Sequence, residues 1–204
     1  MSTEFRTRDS RFMSSQNSKP KRRWTYVVIA LATIGVVTFS VFAAIPKQTP
    51  TTSIASSTLI GKQAPDIIGM TQNSSRYNLG KLKGNYVFVN FFASWCVPCR
   101  TETAAIESFL AKAPKTIFAN HVSIVGVTVN DRSASAAQFV RANSISWPVI
   151  FDGSGVIGLS WGVGSPPQTF LVAPNGNVIT RIVGPVTEGG MMSLMNLAYS
   201  TYGP

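Results

Sequence analysis

Phe91-Phe92-Ala93-Ser94-Trp95-Cys96-Val97-Pro98-Cys99-Arg100-Thr101-Glu102 holds both cysteines of the chain, three positions apart. Before it, Tyr86 to Asn90 opens a run of aromatic and β-branched residues that continues through Phe92. With little alternation, 86–92 predicts a strand covered on both faces. After the cysteines, Ala104, Ala105, Ile106, Phe109 and Leu110 recur at helical spacing, and Pro114 closes that helix. Cys96 therefore falls where a buried strand ends and a helix begins.

That junction bears on three uses of the cysteine pair. A structural staple this short closes so small a loop that chain entropy supplies only roughly 2 kcal/mol. A zinc site needs about four ligands, and besides the two cysteines the chain offers one histidine, His121, which reads as a surface or hydrogen-bonded side chain. No metal and no cofactor is expected. A redox dithiol fits the position. The first turn of a helix presents unpaired N–H groups and a partial positive charge. A thiolate on Cys96 is stabilised there and its pKa lowered, and the thiolate is the nucleophile of disulfide exchange. Cys99, about one turn on, is close enough to attack a mixed disulfide. Pro98 is tolerated because its missing N–H has no helical partner to lose. Trp95 can shield one side of the sulfur as well as pack.

Outward from this centre, 64–70 predicts an entering strand, followed by the turn residues Gln72 to Ser75. Residues 122–129 predict a second buried strand, and Ser133 can cap a helix with Ala136, Ala137, Phe139 and Val140 inward. A short strand is predicted at 148–151. Residues 169–173 and 177–183 read as strands joined by the turn Pro174-Asn175-Gly176. Thr187 can cap a last helix with a Met191, Leu194, Met195 and Ala198 core stripe. Alternating strands and helices followed by a hairpin predict an α/β fold: a mixed sheet with helices on its faces.

Upstream, residues 24–45 form twenty-two positions without a charge. At about 1.5 Å per residue, such a helix spans the roughly 30 Å core of a bilayer. Trp24 and Tyr26 suit an interface. Positions 1–23 carry seven cations against Glu4 and Asp9, a net +5 of the chain's +10. The positive-inside rule then expects a cytoplasmic basic tail at 1–23, an uncleaved single-pass anchor at 24–45, and everything after it outside the cell membrane. Residues 46–58, rich in Pro, Thr and Ser, read as a linker, and 59–204 as one domain. The remaining charge is scattered, so no nucleic-acid surface is expected. The lipid bilayer is the expected partner of the N-terminal segment.

The segment from Val89 to Cys99 resembles the active-site segment of membrane-anchored thioredoxin-like reductases of the TlpA, ResA and CcmG type. So do the opening stretch Gly61 to Asp66, the Trp147 to Asp152 segment, and Gly162-Val163-Gly164-Ser165-Pro166-Pro167-Gln168-Thr169-Phe170-Leu171-Val172. The resemblance implies a thioredoxin-like mixed sheet. It implies a cis-proline at Pro167 facing the dithiol, with Trp95, Pro167 and Gln168 meeting the substrate chain. It also implies a redox-active Cys96–Cys99 disulfide. For Glu102 it implies an acid that handles protons beside the dithiol; the residue pattern alone equally allows a solvated first-turn acid favoured by the helix dipole. Two departures bear on this. Ala104 stands where the family often has proline, and Asn90 stands where cytoplasmic thioredoxins carry a buried aspartate.

The leading functional expectation is an extracytoplasmic thiol–disulfide oxidoreductase that reduces exported proteins. The resemblance suggests apocytochrome c as a substrate and a membrane thiol carrier as electron donor. A disulfide-forming oxidase, a broad-specificity exported thioredoxin and a tethered non-catalytic binding module are the competing expectations. A peroxidase is weaker, because Ala93 occupies the position three before Cys96 where that chemistry resembles a threonine.

Overall fold

The computed structural model describes residues 22–43 and 52–203, which fall into two units. The N-terminal unit contributes helix α1 (Arg22–Ala43). Its described side chains, from Trp24 to Val36, are exposed. Among the described residues no helix is long and apolar enough to cross a membrane. The expected anchor runs on through 37–45, and those side chains lie outside the described residues, as do positions 1–21 of the tail and 46–51 of the linker.

The C-terminal unit is built on a six-stranded sheet. Its strands are β1 (Ser53–Ala55), β4 (Tyr86–Phe92), β5 (Val122–Thr128), β6 (Val149–Phe151), β7 (Gln168–Val172) and β8 (Val178–Val183), in the spatial order β1-β8-β7-β4-β5-β6. β4, β5 and β6 are parallel; β7, β8 and β1 join antiparallel. The parallel steps run through α2 (Val97–Lys112) and α3 (Ser133–Ala142). Both steps go the same way across the sheet, so right-handed crossovers put both helices on one face. The last helix, α5 (Glu188–Tyr202), shares one apolar cluster with them.

β4 organises this core. Side chains alternate across a strand, so Tyr86, Phe88 and Phe92 enter the cluster under α2, α3 and α5, while Val87, Val89 and Phe91 enter the opposite one. The opposite cluster includes Trp161 and Phe170, with Ile67 and Leu79 from the segment before β4. The same alternation turns Asn90 toward α2, the one polar side chain of a wholly buried strand.

Several elements differ from the sequence reading. Ser53–Ala55, expected in the linker, pair with β8 as an edge strand, so the folded unit begins earlier than residue 59. The strand expected at 64–70 shrinks to β2 (Ile68–Met70), because Pro65 cannot donate to a ladder and Ala64 N donates to Gly176 O instead. β2 pairs with β3 (Arg76–Asn78), a strand too short to read from pattern. Ser133 is the first residue of α3, not its cap; Arg132 takes the cap position without a side-chain bond. The five-residue α4 (Val156–Ser160) is too short for a periodic signal. Thr187 does cap α5, its Oγ1 accepting from Gly190 N at 3.1 Å. Gly176, at φ +87°, provides the left-handed turn residue between β7 and β8.

Candidate active site

Cys96 is the N-cap of α2, directly after the strand end and the loop residues 93–95. Its backbone is extended, and its sulfur accepts from Cys99 N at 3.2 Å. This is the helix N-terminus expected to favour a sulfur anion, with an identified donor. Cys96 and Cys99 are joined by a disulfide, S–S 2.04 Å, Cα–Cα 5.3 Å. In this oxidised form both are buried, at 3% and 1% exposure. Their neighbours are open: Trp95 is 56% and Val97 72% exposed. Trp95 does not close over the core; its Nε1 donates to Asn130 O at 2.9 Å.

Beneath the dithiol sits Glu102, on the next turn of α2. It is 2% exposed, which excludes the solvated first-turn acid. Oε1 accepts from Asn90 Nδ2 at 3.0 Å and Oε2 from Val186 N at 3.1 Å. Burial pushes its pKa up to about 7, with the Asn90 and Val186 hydrogen bonds pulling the other way. Asn90 also donates to Thr169 Oγ1 at 3.0 Å, its direct cross-strand partner on β7. The position that carries an acid in cytoplasmic thioredoxins here carries a neutral donor, and the buried acid is on the helix.

Pro167 follows a cis peptide bond from Pro166, as the resemblance implies. β7 begins next, with Gln168 paired to Phe91 and running antiparallel to β4. Pro167 thus lies at the end of the sheet from which β4 delivers the cysteine loop. Its carbonyl accepts from Gly184 N at 3.0 Å, two residues before Val186. Gln168, expected to meet substrate, turns inward instead: its side chain is buried, Nε2 donating to Ser165 O at 2.8 Å and Oε1 accepting from Arg181 Nε at 3.0 Å. Cys96, Cys99, Glu102 and the Pro167 loop share one end of the sheet, and the Gln168 side chain supports that loop from within.

Two site residues were absent from the sequence reading. Asp131 accepts from Ser94 N at 2.6 Å and from Ser94 Oγ at 2.9 Å, tying down the loop before Cys96. Asn130, at φ +51°, presents the carbonyl that receives Trp95. Both follow β5, the parallel neighbour of β4, so their positions just past a strand end were the available signal. Residues at the carboxyl ends of adjacent parallel strands share one crevice.

The Redoxin family model matches residues 59–197. Thiol-disulfide oxidoreductase ResA of Bacillus subtilis is 31% identical over 137 residues, 67% of this chain and 74% of ResA. Thiol-disulfide oxidoreductase ResA of Geobacillus kaustophilus is 27% identical over 166 residues, 81% of this chain and 88% of its own length. A crystal structure of a thiol:disulfide interchange protein of the thioredoxin family from Chlorobium tepidum superposes with TM-score 0.57 at 25% identity, covering 71% of this chain and 99% of that one. The sheet order, the dithiol at a helix N-terminus and the cis-proline strand beside it are thus those of a thioredoxin-like fold. The chain belongs to the Redoxin family, among the thiol–disulfide oxidoreductases of the TlpA, ResA and CcmG type.

Proposed function

We propose that this chain is a membrane-anchored reductase of disulfides in exported proteins. The observation that carries the reading is a dithiol at the N-terminus of α2 with a buried acid, Glu102, one turn below it. In the reduced protein the Cys96 thiolate attacks a substrate disulfide. A Cys96–substrate bond forms, and the other substrate sulfur leaves as a thiolate and takes up a proton. Cys99 then gives its proton to the Glu102 carboxylate and attacks Cys96. The mixed disulfide breaks, the second substrate sulfur leaves, and two electrons have passed from the dithiol to the substrate. With its pKa near 7, Glu102 is suited to hold and release that proton at neutral pH. Its hydrogen bonds to β4 and to the loop before α5 fix the carboxylate for the task. The backbone beside Pro167, at the dithiol end of the sheet, is where a substrate chain can pair.

The anchor in this reading is the uncharged segment 24–45, which follows a basic flank. Its charge asymmetry favours a cytoplasmic N-terminus and an extracytoplasmic dithiol. In a compartment that tends to oxidise thiols, a membrane thiol carrier must return the enzyme to its reduced form. The resemblance to TlpA, ResA and CcmG reductases supports apocytochrome c, before haem attachment, as a substrate.

The test is Cys99→Ser in the full-length protein in cells, which removes the resolving thiol and holds the partner on Cys96. Cytochrome precursors and a membrane donor in the trapped set support the proposal. Capture of oxidised bulk secretory proteins would favour broad reduction or isomerisation, and the absence of any trapped partner a binding module. Protease added to intact spheroplasts should remove the C-terminal domain; its protection would sink the topology.

A further inference from the structure

Between β8 and α5 the chain passes through Gly184-Pro185-Val186. Each of these three residues bonds to a different part of the domain. Gly184 N donates to Pro167 O at 3.0 Å, on the cis-proline loop. Val186 N donates to Glu102 Oε2 at 3.1 Å. Pro185 has no N–H, and its carbonyl accepts from Thr52 Oγ1. Pro185 is buried, and buried backbone carbonyls rarely stay unpaired. Its partner belongs to the residue that leads into β1. Ser53, next in the chain, pairs with Val183, the last residue of β8.

Two walls of the dithiol site therefore hang on one short loop, and the entering chain pins that loop from outside. We infer that Thr52 is a positioning residue of this site: its hydroxyl clamps the Pro185 carbonyl, and through the adjoining Gly184 and Val186 it fixes the cis-proline loop and the Glu102 carboxylate. The role presupposes that Glu102 takes the Cys99 proton, as in the proposed mechanism. The same entering stretch braces the site a second time. Ser56 O accepts from Arg181 Nη1, whose Nε donates to Gln168 Oε1 beside the cis-proline. A segment whose composition reads as linker is thus the outer support of the dithiol end of the sheet.

Glu102 is sensitive to this support because little else holds its carboxyl. On α2 the titratable groups above it are Cys96 and Cys99, joined in the disulfide. β4 presents the neutral Asn90, and the loop presents the Val186 N–H. The acid of α5, Glu188, is engaged by Lys112 and Ser108. The Val186 bond is one of the two that pull the Glu102 pKa down against burial.

The experiment compares Thr52→Val and Thr52→Ser in the full-length oxidised protein. Thr52 is exposed, and valine keeps its β-branched shape while removing the hydroxyl. Without the clamp the Val186 bond weakens while the carboxyl stays buried. The Glu102 midpoint, read by NMR on the side-chain carbon, should therefore rise by about half a pH unit to one pH unit. Amide exchange at Gly184 and Val186 should quicken about two- to tenfold, the worth of a single hydrogen bond, while the amides of α3 keep their rates. Thr52→Ser retains the donor and should match the unaltered protein in both readouts. An unmoved midpoint in Thr52→Val overturns the inference, and so does an equal shift in Thr52→Ser. In the reduced protein the pH inflection of mixed-disulfide resolution should follow the midpoint. A midpoint that moves while the inflection stays leaves Thr52 its positioning role and overturns the proton-carrying reading of Glu102.

Discussion

Asn90 on β4 donates its side-chain N–H to Glu102 on α2 at 3.0 Å, and each residue is 2% exposed. A neutral amide and a carboxyl therefore face each other under the dithiol. The carboxyl has lost its water and gained only two donors, Asn90 and Val186 N. Desolvation outweighs them, and the pKa rises from 4.5 to about 7.

That shift has a sign for stability. The folded protein holds the Glu102 proton between pH 4.5 and about 7, whereas the unfolded chain releases it. Stability should therefore fall as pH rises through that window and level off above it, by on the order of 3 kcal/mol. In Glu102→Gln this component of the slope disappears. Urea unfolding of the oxidised protein at pH 5, 6, 7 and 8 measures it; parallel curves for the two proteins would contradict the burial argument. The same variant should lose the inflection near pH 7 in the rate of mixed-disulfide resolution, read by stopped-flow.

Asn90→Leu removes a donor that holds the Glu102 pKa down. The carboxyl should then titrate above its present value of about 7, observable as a shifted midpoint for the Glu102 side-chain carbon in NMR. The change also strips Thr169 Oγ1 of the N–H it accepts. A stability loss of about 1–3 kcal/mol is expected from the unpaired groups. An unmoved midpoint would mean that Asn90 is packing only.

Asp131→Ala leaves both Ser94 N–H and Ser94 Oγ–H without the carboxylate that receives them. Bonds to a charged acceptor are worth about 1.5–3 kcal/mol, so the loop before Cys96 should loosen. Amide hydrogen exchange at Ser94 should accelerate at least tenfold in the variant, while the amides of α5 keep their protection.

Arg181 joins three parts of the fold. Its Nε donates to Gln168 Oε1, its Nη1 donates to Ser56 O at 3.1 Å, and its guanidinium lies 5.9 Å from the Phe170 ring centre. Arg181→Ala should free the β1 edge, raising exchange at Ile54 and Ala55, and should cost about 1 kcal/mol overall. Unchanged exchange there would show that the β1–β8 ladder alone holds the edge.

Much of this architecture was readable from residue pattern. The 86–92 run, the 122–128 run and the hairpin around Gly176 are strands because their residues pack on a pleated surface and their turn supplies a positive φ. The dithiol was readable because it sits between a strand signal and a helix signal. The short pieces were not. Ser53–Ala55 look like linker until β8 offers a ladder, and Val156–Ser160 are fewer than two turns of helix. Gln168 carries a polar side chain beside the cis-proline, but it is Arg181 of β8, together with Ser165 O three residues back, that turns it inward.

Taken alone, the amino-acid order determined where a strand hands over to a helix, and so which thiol meets the helix N-terminus; these are local properties of hydrophobic spacing and of proline. The fate of Glu102 was decided by tertiary structure. Nothing nearby in the chain says whether a carboxyl three residues past Cys99 faces water or the sheet. The packing of α2 on β4 brings Asn90 to it, and the loop before α5 brings Val186 N. Burial, a property of the assembled layers, then raises its pKa to about 7.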